Sequence, residues 1–397
     1  MNIHRHILWL LAVFCTWSAV AQQKEIIGYY PSWKWRSRGN LVTPARIPYQ
    51  KFTIINYAFF YPLPDGTIVG RDSTGDSMYL RGERDPVTGT VTPGTRLTDL
   101  AHRHGVKVLP SLGGWEDSNN FPAVASRGTT RAAFAHSCIE LIEEFGFDGI
   151  DVDWEYPGYV DHNGTPADKQ NFTLLLRTLR DSLDAYGRQT QKRYLLTAAL
   201  PAGPTNAANM EIAAIAEILD QLNIMTYDLH GPWDPLSGHN APLYASSPED
   251  SARSVHGAFT LYAQTYGVPP EKINLGVPFY GHTFTECTSP GMPHKGSDTT
   301  HFPEGGAFYY SILALKEKCT RAWDDRAKVP YLVNTSWNLF ISYDDEESVG
   351  HKSRYVVDNG ARGLIIWEIT GDYLDDHSTP LLDVIYHTFH SPYKHEK

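Results

Sequence analysis

Three carboxylates at alternate positions, Asp151, Asp153 and Glu155, stand inside the stretch Phe147-Asp148-Gly149-Ile150-Asp151-Val152-Asp153-Trp154-Glu155-Tyr156-Pro157-Gly158. Side chains alternate faces along a β-strand, so a strand here projects all three acids to one side and Ile150, Val152 and Trp154 to the other. Neighbouring acids on one face are then roughly 6–7 Å apart at the backbone. Like charges that close cannot all ionise freely, so at least one carboxyl is expected to hold its proton to higher pH. Glu155, last in the row at the strand's C-terminal end, is placed to act as a general acid near neutrality. An acidic surface strand or a divalent-cation site also uses such residues. A surface strand, however, would hardly carry Ile, Val and Trp on its other face and end in Tyr-Pro-Gly.

Such a strand needs a frame. Short, mostly apolar runs fall at 26–30, 52–59, 106–112, 149–155, 194–200, 222–228, 273–280 and 363–368. Helical patterns at 97–104, 130–145, 171–186, 211–220, 248–266 and 381–390 lie between or after them, and 62–94 reads as a Gly- and Asp-rich loop. Runs of this kind suit strands buried on both faces of a parallel sheet. Eight βα units in 397 residues predict an α/β fold, a TIM (β/α)8 barrel. Strand count alone also admits a doubly wound sheet. The barrel rule puts chemistry at strand C-termini, where Trp33, Trp115, Glu155, Tyr227, Asp228 and Trp367 all fall. The gap between the seventh and eighth strands is too long for one helix, so 282–344 is expected to be a small α+β insertion. The barrel then occupies 22–281 and 345–397.

Composition sets bounds. A formal net charge of -11 argues against nucleic acid or an anionic membrane as partner and fits an uncharged substrate. Aromatic residues make up 12% of the chain, and sugar C–H faces stack on such rings, although most Trp and Tyr serve core and rim in any fold. His4, Arg5 and His6, the apolar run 7–14 and Ala19-Val20-Ala21 read as a secretion signal cleaved near Ala21. That run is too short to span a bilayer. A lipoprotein cut at Cys15 is disfavoured by the bulky Phe14. The expected product is therefore an exported protein, extracellular or periplasmic, with no membrane span. Of the remaining cysteines, Cys287 and Cys319 share one late segment and are the expected disulfide, while Cys138 lies in a helical pattern as a buried thiol. Three cysteines do not resemble a zinc site, and no metal or cofactor is expected.

Asp148, Asp151, Asp153 and Glu155 match the D-x-x-D-x-D-x-E signature, and the chain resembles the family 18 glycoside hydrolases, the chitinases and their relatives. The resemblance runs along nearly the whole chain after the signal. It includes Ser111-Leu112-Gly113-Gly114-Trp115 as S-x-G-G, Met225-Thr226-Tyr227-Asp228 as M-x-Y-D, and insertion residues such as Glu304-Gly305-Gly306, Tyr309-Tyr310 and Trp323-Asp324. It implies retaining hydrolysis of β-1,4 bonds beside N-acetylglucosamine, with the substrate's own acetamido group as nucleophile. Glu155 would be the acid and base. Asp153 would orient the acetamido group, and Asp151 would share proton or charge with Asp153. Tyr227 would donate to the acetamido oxygen, and Asp228 would touch the same sugar or polarise Glu155. Asp148 is out of phase and reads as structural. Substrate-binding positions implied by the likeness are Tyr29, Trp33, Phe59, Gly114, Trp115, Tyr156, Met225, Trp233, Tyr280 and Trp367. Trp367 forms the floor under the sugar in that reading, although a Trp there could equally be barrel core.

One departure stands inside the likeness. Many two-lobed chitinases read G-x-P-x-Y-G-R, whereas this chain reads Gly276-Val277-Pro278-Phe279-Tyr280-Gly281-His282. A shorter, titratable histidine puts chain-length preference in question, not the basic chemistry. The expected partner is chitin or chitooligosaccharides, met by a monomer. Two rivals are an endo-β-N-acetylglucosaminidase acting on glycoprotein glycans and a lectin-like binder on the same scaffold. The insertion counts against the first, and the presence of Glu155 counts against the second.

Overall fold

The computed structural model describes residues 23–85, 87–303 and 306–391. The stretch expected to be a secretion signal lies outside the described residues, as do Glu304 and Gly305. Eight parallel strands form the frame: β1 (Glu25–Pro31), β2 (Ile54–Pro62), β4 (Lys107–Gly113), β5 (Gly149–Asp153), β6 (Leu195–Pro201), β7 (Gln221–Met225), β8 (Ile273–Pro278) and β14 (Gly363–Trp367). β1 pairs with β14 on one side and β2 on the other, which closes the sheet into a barrel. A short antiparallel β3 (Ile68–Gly70) extends β2 beyond the barrel mouth. The strands are buried on both faces, as their unbroken apolar runs require.

Outside the barrel lie α1 (Ser73–Leu80), α2 (Leu97–Arg103), α3 (Phe121–Ser126), α4 (Gly128–Phe145), α5 (Asp168–Thr190), α6 (Pro204–Ala207), α7 (Ile212–Ile218) and α8 (Val255–Thr260). α4, which delivers the chain to the acidic strand, stops at Gly146 in the left-handed region, φ +76°, whose N–H donates to the carbonyl of Ile142. The stretch 62–94 is not all loop. Asp72 caps α1 there by accepting the backbone N–H groups of Thr74 and Gly75. The helical pattern at 248–266 becomes α8 followed by a wider turn over Leu261–Thr265, because Ser254 accepts the Gly257 N–H and starts the helix late.

A second, antiparallel sheet lies between β8 and β14, in the order β10-β9-β13-β12-β11. Its strands are β9 (Tyr280–Thr285), β10 (Ala307–Phe308), β11 (Thr320–Asp324), β12 (Val329–Asn334) and β13 (Leu339–Ser342), with α9 (Tyr309–Leu315) packed beside them. α10 (Glu346–Asp358) returns the chain to β14 through a capping box made by Asp345 and Ser348, and α11 (Pro380–His390) follows.

The expected Cys287–Cys319 disulfide is not formed; both are free thiols, as is buried Cys138. Strand register explains the correction. Thr285 pairs with Leu339, Leu339 with Asn334, and Thr320, next to Cys319, with Val333. Cys287 follows β9 and Cys319 precedes β11, so β13 and β12 run between them. Three strand spacings amount to roughly 14 Å. A disulfide needs Cα atoms within about 7 Å. Cys287 packs instead with Phe284 and Phe340.

Candidate active site

β5 carries Asp151 and Asp153 into the barrel, both buried, and ends there; Glu155 sits two residues past the strand, at the barrel mouth. Asp151 accepts four hydrogen bonds: from Tyr29 Oη at 3.0 Å, Ser111 Oγ at 2.8 Å, Asn223 Nδ2 at 3.0 Å and the Thr197 hydroxyl. Burial pushes its carboxyl up, and these four donors pull against that push. Asp153 has no such support. Burial first, then the charges of Glu155 and Asp151, hold it well above the carboxylate range, and its Oδ1 is buried without a partner.

Glu155 keeps some exposure at the mouth, yet the protein around it is dense enough that desolvation is the main cause of its shift. Its carboxyl is pushed up to about 7 by burial and, further down the order, by the charge of Asp228, while the Tyr156 hydroxyl and the Trp115 backbone N–H pull it down. Its own backbone N–H donates to Ser118 Oγ at 2.8 Å. Asp148 lies at the other end of the row, bonded to the Val108 N–H and to His102 Nε2, each at 2.8 Å.

Beyond β7, Tyr227 is buried and Asp228 adopts a left-handed backbone, φ +56°, which Asp tolerates better than most residues. The Asp228 N–H donates to Asn240 Oδ1 at 2.8 Å, and its Oδ1 accepts Tyr280 Oη at 2.6 Å and pairs with His282 Nε2 at 2.7 Å. Tyr280 and His282 come from β9, so the second sheet supplies one side of the acid's surroundings.

The remaining expected positions line the same mouth. Tyr29, Phe59, Met225 and Tyr227 form one apolar cluster with Trp33, Tyr156, Tyr280 and Trp367 packed against it. Trp367 stacks on Phe59 at 5.5 Å and meets Tyr29 at 5.6 Å. Trp33 lies 6.0 Å from Phe59 under the Arg71 guanidinium. Gly113 and Gly114 take φ +117° and +84°, and side chains there would strike the Asp153 carbonyl and the Phe59 ring, so this bend needs glycine. Trp115, 47% exposed, leans on Tyr156, Tyr159 and His162, and Trp233, 63% exposed, stands edge-on to His282.

Several contributors have no motif to announce them. Ser118 holds the Glu155 backbone, Thr197 and Asn223 hold Asp151, and Asn240 ties Asp228 to the Tyr280 carbonyl. Their only sequence signal is a polar residue in or beside an apolar strand run, which Thr197 and Asn223 show. Among the described residues, no group of three or more His, Cys, Asp or Glu is arranged to hold a metal ion. None of the described helices is long and apolar enough to cross a membrane.

A closed parallel barrel with an acid row at the C-terminal end of one strand defines a barrel hydrolase. Residues 25–372 match the sequence profile of the Glycosyl hydrolases family 18, and the chain belongs to that family. It is 40% identical to Chitinase A1 of Niallia circulans, over 89% of this chain, and spans 57% of that protein's length. It is 35% identical to Chitinase 1 of Aphanocladium album, over 84% of this chain and 79% of that one. The solved structure of Chitinase ChiA74 from Bacillus thuringiensis is similar at a TM-score of 0.82 and 32% identity, covering 95% of this chain and 71% of that chain.

Proposed function

We propose that this protein hydrolyses β-1,4 bonds between N-acetylglucosamine units of chitin or chitooligosaccharides, with retention and with the substrate's acetamido group as nucleophile. The observation that carries this reading is Asp153: a buried carboxyl with an unpartnered oxygen, set between a four-donor anchor at Asp151 and an acid raised to about 7 at Glu155. An acetamido N–H is the kind of donor that oxygen lacks. Glu155 gives its proton to the leaving glycosidic oxygen as the acetamido carbonyl oxygen bonds to the anomeric carbon and the C–O bond breaks. Asp153, taking the acetamido N–H, stabilises the resulting oxazolinium. Tyr227 supports the acetamido oxygen from the end of β7, two strands from β5, and Trp367, Phe59 and Tyr29 provide the apolar floor. Water then attacks the same carbon, Glu155 recovers a proton from it, and the ring opens to a product of unchanged anomeric configuration.

Chitin oligosaccharides given to the wild type and to Glu155→Gln, with products resolved by length and anomer, test the reading. The wild type is expected to release β-anomers, and the variant to bind while losing about 10²–10⁴-fold in rate. Binding without cleavage by the wild type would favour the lectin-like alternative, and neither binding nor cleavage would move the search to glycoprotein glycans.

A further inference from the structure

His162 grips Glu155 from a second side. The Glu155 carbonyl can only accept, so the His162 Nδ1 that lies 2.6 Å from it carries a hydrogen and donates. With the Glu155 N–H on Ser118 Oγ, both polar groups of that residue's backbone are held, one by the loop after β4 and one by the loop after β5. The second loop is itself fixed. Buried Asp168, at the start of α5, accepts the Gly158 N–H at 3.1 Å and the Thr165 N–H at 2.8 Å. The His162 N–H donates to the Tyr159 carbonyl at 3.1 Å, and Asn163 Nδ2 reaches across to the Asn119 carbonyl at 3.2 Å. The half-buried imidazole also meets the Trp115 ring, T-shaped, at 4.6 Å, and the Trp115 backbone N–H is bonded to the Glu155 carboxyl.

We propose that His162 is a positioning residue for Glu155: its Nδ1–H fixes the carbonyl side of the acid's backbone, as Ser118 fixes the N–H side, and together they aim the carboxyl at the glycosidic oxygen. The inference rests on the hydrolytic reading of the site. Glu155 lies two residues past the end of β5, so loop contacts rather than the sheet set its torsions. A hydrogen bond on each side of one residue restrains both of its soft backbone dihedrals, and with them the direction of its side chain. An acid displaced by about 1 Å loses on the order of 10²-fold in rate. The loss is greatest where the leaving oxygen most needs a proton. A sugar hydroxyl needs one to depart, whereas a nitrophenolate leaves with little help. At position 162 an asparagine carries an amide N–H the same number of bonds from the backbone as Nδ1, and a phenylalanine keeps a ring against Trp115 with no donor.

Wild type, His162→Phe and His162→Asn, each assayed on a chitin oligosaccharide and on a nitrophenyl chitooligosaccharide, test the proposal. His162→Phe is expected to lose about tenfold in kcat on the oligosaccharide with little change in KM. On the nitrophenyl substrate its loss in kcat/KM is expected to be under about threefold, because that leaving group asks little of the acid. His162→Asn, which restores the donor without the ring, is expected to recover most of the kcat. Where the phenylalanine variant folds poorly, His162→Ala removes the donor without adding bulk and is read on the same two substrates. Unchanged kcat in the donor-less variant, equal losses on the two substrates, or no recovery in His162→Asn would overturn the proposal and leave the hydrolytic reading in place. Failure of the wild type to cleave either substrate would overturn both.

Discussion

Glu155 can donate a proton only while it carries one, and its carboxyl is pushed up to about 7, first by burial and then by Asp228. The rate of the acid-requiring step should therefore fall as pH rises through about 7. Asp228→Asn removes one of the raising influences, so the basic limb of its kcat/KM profile should move to lower pH; a pH series with the two proteins side by side checks the sign. An unmoved limb would mean that burial alone holds the proton. At this scale much was legible. The alternation of Asp151, Asp153 and Glu155 carries its own chemistry, and Tyr227-Asp228 stands at a strand end where a barrel works. What could not be read is which acid keeps its proton, because that depends on four donors to Asp151 drawn from β1, β4, β6 and β7 and on an Asp153 Oδ1 that, among the described residues, is buried without one.

Elements decide how still the acid is held. Glu155 lies beyond the last hydrogen-bonded residue of β5, so the strand does not hold it; Ser118, from the loop after β4, does. The same hydroxyl donates to the Gly114 carbonyl at 2.9 Å and so links the glycine bend to the segment that carries Glu155. Ser118→Ala should cost about 1 kcal/mol of stability. It should also lower kcat by about tenfold with little change in KM, since a displaced acid weakens the transition state more than binding. Steady-state kinetics with a thermal melt of the same sample separate the two effects. The alternation in 147–158 places Asp151, Asp153 and Glu155 on one strand, whereas β5 carries the first two and ends before Glu155. No local pattern announces that the chain leaves the sheet after Asp153, because the departure is made by a partner 37 positions away. The disulfide expectation failed for a similar reason: nearness in sequence said nothing about the two strands that register puts between Cys287 and Cys319.

For the molecule as a whole, the acid row is a weight against stability. The folded-state pKa of Asp153 stands well above its unfolded value of about 3.9. A group raised in this way contributes stability that is complete below the unfolded value and lost as pH rises through the folded one. Asp153→Asn cannot ionise, so its melting temperature should exceed the wild type's by a margin at least about 2 °C greater at pH 8 than at pH 4, while activity falls. Equal margins at the two pH values would show that the Asp153 charge does not reach the folding equilibrium. The barrel itself was open to the sequence, because eight runs apolar on both faces have few other ways to be buried, and acids at period two must share a face of whatever strand carries them. Whether those runs close on one another, with β1 joining β14 to β2, was left undecided by strand count, since closure is a relation between the two ends of the chain. The surroundings of Asp228 were likewise decided only by tertiary structure. Tyr280 and His282 lie more than fifty positions from it, and they meet its carboxylate because the second sheet begins at the mouth of the barrel where the seventh parallel strand ends.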